Sequence, residues 1–232
     1  MSTSLAESIN TTSFRYPHEL EKYYHEGVIN KFRDEWDVEI EEAQEIFSEM
    51  KKFIFISAIA QKECIEFEID EPILIIDKMW HQFILFTMDY ERFCNKFFGK
   101  MLHHVPFCST HLVQKIKALS EHGITLNEHK AERLRRQLET IKLTFGKSTL
   151  EKWYIDYAHK YSYERMNMLQ RPVFFGDLDS LNKPLNISDV KRMGANELIN
   201  GIVDRGSASL YCGGHGCGMY CTCNSSGGSL YT

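Results

Sequence analysis

The sequence lacks any apolar segment long enough to cross a membrane. Its longest apolar run, residues 53–60, is far shorter than the roughly twenty residues that a spanning helix requires, and Gln61-Lys62-Glu63 follows it. The N-terminal residues also lack the basic segment and the apolar run of a secretory signal. We therefore expect a cytoplasmic protein without a membrane span.

The chain also lacks an excess of positive charge. Its formal net charge of -5 gives no general attraction to phosphate backbones, so we expect no nucleic-acid binding. One basic cluster exists, but glutamates interleave with it at helical spacing, which predicts a solvated and self-paired helix face. The basic residues are Lys130, Arg133, Arg135 and Arg136, and the glutamates are Glu128, Glu132 and Glu139.

Several familiar signatures are missing. The sequence contains no HExxH, no HxH and no glycine-rich phosphate loop, which excludes the common metalloprotease and nucleotide-binding patterns. The seven cysteines are an odd number, and Cys64, Cys94 and Cys108 lie far apart among core-like residues. This usage is typical of reduced thiols in a reducing compartment.

What is present predicts an all-α protein with one main helical domain. Apolar residues make up 43% and charged residues 25% of the 232 positions, which are ordinary values for a globular domain. We expect a flexible arm over residues 1–16, the helical domain over 17–205, and a disordered tail over 206–232. The tail is rich in glycine, serine and cysteine and contains no Asp, Glu, Lys or Arg, so it cannot form a core of its own.

Apolar spacing by three and four residues predicts most of the helices. A first helix should open at Pro17, a second should follow over residues 38–62, and a central helix should span 77–98 and end at Gly99. Two capping boxes, Thr125 to Glu128 and Ser148 to Glu151, predict helices over about 125–145 and 148–161. A short helix near residues 190–202 completes the prediction.

The central helix carries the most informative polar residues. Asp77 and His81 lie four residues apart, so their side chains share one helix face, and a turn at Gly99 brings His103 and His104 back toward them. The simplest interpretation is a core histidine that Asp77 satisfies. A second is a metal site of Asp77, His81 and one of the two later histidines, with zinc or iron as the ion, and a third is a ligand pocket without metal.

This region has a distinctive pattern, whose residues are Asp77, Trp80, His81, Tyr90, Cys94, Gly99 and the pair His103-His104. Over about residues 72–106 the pattern resembles the core of the glycine-rich domain-containing protein-like family, and the Gly/Cys-rich tail resembles that family's C-terminal extension. The resemblance implies an intracellular helical domain of unsettled activity. The chain differs from the plant-like pattern at Gln82-Phe83, where those members tend to carry a second histidine nearby.

The tail contains a second candidate metal site. Four thiols and one imidazole lie within a short glycine-rich segment, and such donors suit zinc. Their spacing differs from paired CxxC knuckles, so three alternatives stay open: disulfide or redox chemistry, a tail that is enzymatically modified or acylated, and a disordered tail with another role. The residues are Cys212, His215, Cys217, Cys221 and Cys223.

Three functions fit these observations. The first, which we favour, is an intracellular binding or scaffold protein with an unknown protein partner, an Asp/His site on the central helix and a thiol-rich tail. The second is a metal-dependent enzyme that uses Asp77, His81 and His103 or His104 to activate water or oxygen. The third is a substrate protein whose tail another enzyme modifies. No catalytic residue is assigned, and Cys94 in apolar surroundings is expected to be inert.

Overall fold

The computed structural model of the chain describes residues 15–63, 65–105 and 108–171, with positions 188, 191–197 and 200. These residues are predominantly helical and contain no strand, so the all-α prediction is confirmed. None of the described helices combines the length and the apolar character needed to span a bilayer. The predictions for residues 1–14, for Cys64 and for the tail over 206–232 lie outside the described residues.

Ten α-helices follow one another along the described chain. A short 3₁₀ turn, Glu71–Ile73, leads into α4, and a π-helical segment, Lys152–Asp156, joins α8 to α9. The helices are α1 His18–Lys22, α2 Glu26–Glu35, α3 Ile40–Lys62, α4 Leu74–Leu85, α5 Thr87–Phe98, α6 Ser109–Glu121, α7 Leu126–Phe145, α8 Lys147–Glu151, α9 Tyr157–Lys160 and α10 Tyr163–Leu169.

The described residues divide into two compact units. The first contains residues 15–32 and 39–167, and the second contains 33–38 and the described residues from 168 onward. In the second unit an isolated antiparallel bridge joins Trp36 to Gln170, and the guanidinium of Arg171 donates to Asp37 at 2.7 Å. The candidate site lies in the first unit.

Helix α3 forms the centre of the first unit. Its middle is apolar on nearly every face, as the sequence predicts, and it packs against α4. Aromatic rings fill the space around it: Phe83 of α4 lies 6.1 Å from Phe47 and 5.0 Å from Phe93 between ring centroids. Each such fully buried side chain contributes roughly 1.5–3 kcal/mol.

Two predicted helices are interrupted in the structure. The first ends at Lys22, and α2 begins only at Glu26, because the Nδ1 atom of His25 accepts a hydrogen bond from the backbone N–H of Val28 at 3.1 Å and caps a new helix. The central helix breaks at Phe86, whose ψ of 61° is not helical and whose ring packs on His25 at 5.1 Å. A local histidine cap therefore starts a new helix at the first break, and a tertiary ring contact accompanies the second, where it overrides the helical periodicity.

The two capping boxes have different outcomes. Thr125 and Glu128 form a complete capping box at the start of α7, as predicted. The box at Ser148 does not form, since Gly146, with a φ of +83°, ends α7 and directly precedes Lys147, the first residue of α8. Ser148 therefore lies inside the first turn of α8.

The basic cluster on α7 is only partly a solvated face. Arg135 and Arg136 pair with Glu132 on the surface at 2.8 Å and 2.7 Å, as the interleaved charges predict. Arg133, however, is buried, and its guanidinium donates to Asp70 at 2.7 Å. The prediction that it belongs to the solvated face is wrong, because the carboxylate of Asp70, in the loop before α4, offsets the cost of burying the guanidinium.

Candidate metal centre

Asp77 is the buried acid at the base of the candidate site. It lies in the first turn of α4, and its side chain is only 8% exposed. A carboxylate removed from water to this extent needs hydrogen-bond donors or a cation beside it, because an unpaired buried charge costs several kcal/mol. Two imidazoles fill this requirement.

Each oxygen of Asp77 accepts a hydrogen bond from one histidine. The Nε2 atom of His104 donates to Oδ1 at 2.8 Å, and the Nδ1 atom of His81 lies 3.1 Å from Oδ2. The same Nδ1 is also 2.8 Å from the backbone oxygen of Asp77, which is the i,i+4 position on the helix. The carboxylate thus holds one imidazole from its own helix and one from a loop.

The loop that carries His104 is positioned by α4 and α5. Gly99 ends α5 in the left-handed conformation, with a φ of +73°, and so turns the chain back. The hydroxyl of Tyr90 donates to the carbonyl of Leu102 at 2.6 Å, and the ring of Trp80 packs on the His104 ring at 4.5 Å. These contacts fix the third polar residue of the site against the first two.

The electrostatics of the site follow from these contacts. Burial alone would raise the pKa of the Asp77 carboxyl, but hydrogen bonds from His104 and His81 outweigh it and hold that pKa well below its usual range. The hydrogen bond with Asp77 raises the pKa of His81, although partial burial opposes this. Asp77 is therefore an anion over the physiological range.

The three side chains form a donor set that suits a metal ion. One ligand atom from each of Asp77, His81 and His104 lies within 4.8 Å of the other two. Two imidazoles and one carboxylate are the donors that zinc and non-haem iron take in proteins, and three protein ligands leave coordination positions open. Since the His81 side chain is 47% exposed and that of His104 only 16%, the set opens toward solvent on the His81 side.

The structure brings together only some of the candidate residues. His103 is exposed and lies outside the cluster, and His25 caps α2 and contacts Asp89 at 3.3 Å. Cys94 is fully buried, and burial raises the pKa of its thiol, which agrees with an inert packing role. The tail residues Cys212, His215, Cys217, Cys221 and Cys223 lie outside the described residues.

Sequence reasoning missed Lys78. Its Nζ atom lies 3.6 Å from Oδ2 of Asp77, on the same oxygen that faces His81. The sequence did contain a signal, because Lys78 precedes His81 by three residues and residues at this spacing are neighbours on a helix surface. A fixed positive charge therefore stands beside the candidate centre.

Comparisons with known proteins identify the family of the chain, and the family's description names no activity. The model of a family described as UCP032817-like matches residues 12–141, which is more than half of the chain, so the chain belongs to this family. The match includes Asp77, His81 and His104 and ends before the tail. The glycine-rich part of the expected family resemblance stays a prediction. Neither the search of curated proteins nor the search of solved structures found a match.

Proposed function

We propose that this member of the UCP032817-like family is a binding protein that holds a divalent transition-metal ion, zinc or iron, at Asp77, His81 and His104. The observation that supports the proposal is the convergence of two imidazoles and one buried carboxylate from two separate segments within 4.8 Å. No other described group of His, Cys, Asp and Glu has this arrangement.

The ligand atoms lie close to the separations that a shared ion requires, and binding would move the nearest pair slightly apart. Two ligand atoms bound at about 2.1 Å to one zinc or iron ion lie roughly 3.0–3.5 Å from each other. The carboxylate of Asp77 already lies 2.8 Å from the His104 nitrogen and 3.1 Å from the His81 nitrogen. An ion would replace the protons that these nitrogens now donate, and so metal binding should release protons.

The half-exposed position of His81 favours binding over a purely structural role. A buried carboxylate that needs only to be satisfied gains little from a partner whose side chain is 47% exposed. A metal ion, in contrast, needs both the buried anion and an accessible ligand through which it enters and exchanges. Catalysis at the open positions would be an addition to binding, and no residue is assigned to it.

The metal titration should use the 232-residue chain without the tail thiols, because free thiols in general bind the same ions. In this background Cys212, Cys217, Cys221 and Cys223 are replaced by serine. We expect it to bind about one Zn²⁺ or Co²⁺ per chain by calorimetry, and the cobalt complex should show ligand-field absorption without a sulfur-to-cobalt charge-transfer band.

Matched variants locate the ion. His81→Ala, His104→Ala and Asp77→Asn should each lower the affinity for the ion. Each loss should exceed the roughly 10–100-fold that follows from removing a residue that only hydrogen-bonds to a metal ligand. His103→Ala, an exposed neighbour, should leave the affinity unchanged. A background protein that takes up no ion would refute the proposal, as would His81→Ala and His104→Ala variants that bind as tightly as their parent.

A further inference from the structure

Lys78 supplies a positive charge beside the open side of the proposed centre. Its Nζ atom is 3.6 Å from Oδ2 of Asp77, and its side chain is 35% exposed. Within the described part of the chain, Asp77 is the one carboxylate at ion-pair distance from Lys78. The ammonium group is therefore held at the site and still reaches solvent.

The charges at this site do not balance once a metal ion is bound. A divalent ion contributes +2, Asp77 contributes -1 and Lys78 contributes +1, while metal-bound histidines are neutral. Two positive charges thus remain in a partly buried place. Such a site attracts an anion.

An apolar side chain lies on the same face of α4 as His81. Leu85 follows His81 by one helical turn and is 61% exposed. An exposed aliphatic group beside a cationic centre suits a ligand with one anionic end and an apolar body.

We infer that the metal ion takes a small organic acid as its further ligand. This inference rests on the proposed function. The carboxylate of this acid binds the ion at an open position and pairs with the Lys78 ammonium, and its apolar body lies against Leu85. Carboxylate and phosphate share the anionic chemistry, and the apolar flank distinguishes between them.

The test uses the cobalt-loaded full-length background with the tail thiols replaced. Hexanoate, acetate and inorganic phosphate are titrated separately, and the ligand-field absorption of Co²⁺ reports binding. We expect saturable binding of hexanoate at least about tenfold tighter than that of acetate, because its longer chain buries more apolar surface. Phosphate should bind more weakly than hexanoate.

Two lysine variants show whether Lys78 acts on the anion. Lys78→Gln should weaken hexanoate by about tenfold and leave the Co²⁺ affinity unchanged or tighter, since a positive charge near the ion is removed. Lys117→Gln, at an exposed position of α6, should change neither affinity.

The outcomes separate the two proposals. Absence of cobalt binding would refute the metal site itself. Cobalt binding without a spectral response to any anion, or an unchanged hexanoate affinity in Lys78→Gln, would overturn the inference and leave the metal site standing. Phosphate that binds more tightly than hexanoate would overturn the assignment to an organic acid.

Discussion

The indole Nε1 of Trp80 donates a hydrogen bond to the hydroxyl of Tyr90 at 3.0 Å. That hydroxyl in turn donates to the carbonyl of Leu102 at 2.6 Å, and all three residues are buried. One phenol thus links α4, α5 and the loop that carries His104. The stability of the fold and the geometry of the candidate centre therefore depend on the same oxygen atom.

Tyr90→Phe should affect both properties. The variant leaves the Trp80 donor and the Leu102 carbonyl without their shared partner, which should lower the free energy of unfolding by about 1–3 kcal/mol. The loop then holds His104 less firmly, so Co²⁺ affinity should fall by about tenfold. Urea unfolding and cobalt titration measure the two effects. Tyr24→Phe, at a side chain that is 54% exposed, is the control, and equal behaviour of the two variants would contradict the prediction.

Gln137→Leu should destabilise the packing of α7 on the loop before α4. The fully buried Gln137 side chain pairs with the backbone of Glu68, donating to its carbonyl at 2.9 Å and accepting from its N–H at 3.0 Å. Leucine leaves both backbone groups unpaired in the interior, so we expect a loss of about 2–4 kcal/mol. Thermal and urea unfolding test this. Gln114→Leu, at an exposed position of α6, should change stability by less than about 0.5 kcal/mol, and a similarly small change at Gln137 would disprove the pairing.

Gly99→Ala should cost stability through backbone conformation alone. Gly99 has a φ of +73°, and a Cβ atom placed there would meet no atom within 4 Å, so steric overlap with neighbours does not contribute. A left-handed alanine costs about 1–2 kcal/mol. Gly99→Asn should cost less, since asparagine tolerates this conformation better than alanine does. Urea unfolding of the two variants gives the comparison, and an alanine variant as stable as the parent would speak against it.

The buried Lys51 should make stability depend on alkaline pH. Desolvation lowers the pKa of Lys51 to about 8, although Glu21 partly opposes this, and the Nζ atom donates to the carbonyls of Glu21 and Tyr23. The unfolded chain, with a pKa of 10.5, therefore binds more protons than the folded chain between about pH 8 and the unfolded value. The contribution of Lys51 to the free energy of unfolding should therefore rise with pH across this window.

Comparison with Lys51→Met isolates this group. The difference in free energy of unfolding between the parent and Lys51→Met should grow in favour of the parent by roughly 1–3 kcal/mol from about pH 7 to about pH 10. The same comparison with Lys62→Met, at an exposed position, should stay flat. A flat curve for Lys51 as well would show that its ammonium is not desolvated.

Much of the helical framework could be predicted from the sequence. The apolar spacing of α3, the capping box at Thr125 and the glycine that ends α5 are local signals, and each acts where it was expected. The break at 23–25 depends on the Nδ1 atom of His25, which caps α2. The break at Phe86 was not predictable from periodicity, because it accompanies a ring contact with His25, which is distant in sequence. The burial of Arg133 has a similar origin, since its partner Asp70 lies 63 residues away.

In the candidate site, too, the local contacts could be predicted from the sequence and the distant ones could not. The pairing of Asp77 with His81 follows from their spacing by four residues on one helix. The selection of His104 over His103 depends on the course of a loop and on Trp80, neither of which periodicity describes. The spacing of Lys78 and His81 on the helix makes them neighbours, but the ion pair of Lys78 with Asp77 is visible only in the structure.

The interruption at Phe86 helps to hold the loop that carries His104. Ten residues of unbroken helix would separate Trp80 and Tyr90 by about 15 Å along the axis, well out of reach of each other. The bend brings α5 close to α4, so the Trp80 indole reaches the Tyr90 hydroxyl, and this hydroxyl holds the Leu102 carbonyl of the loop that follows α5. A substitution that made residue 86 helical would separate Trp80 from Tyr90 and so release the loop with His104. It would do so without altering a proposed metal ligand or a residue that contacts one.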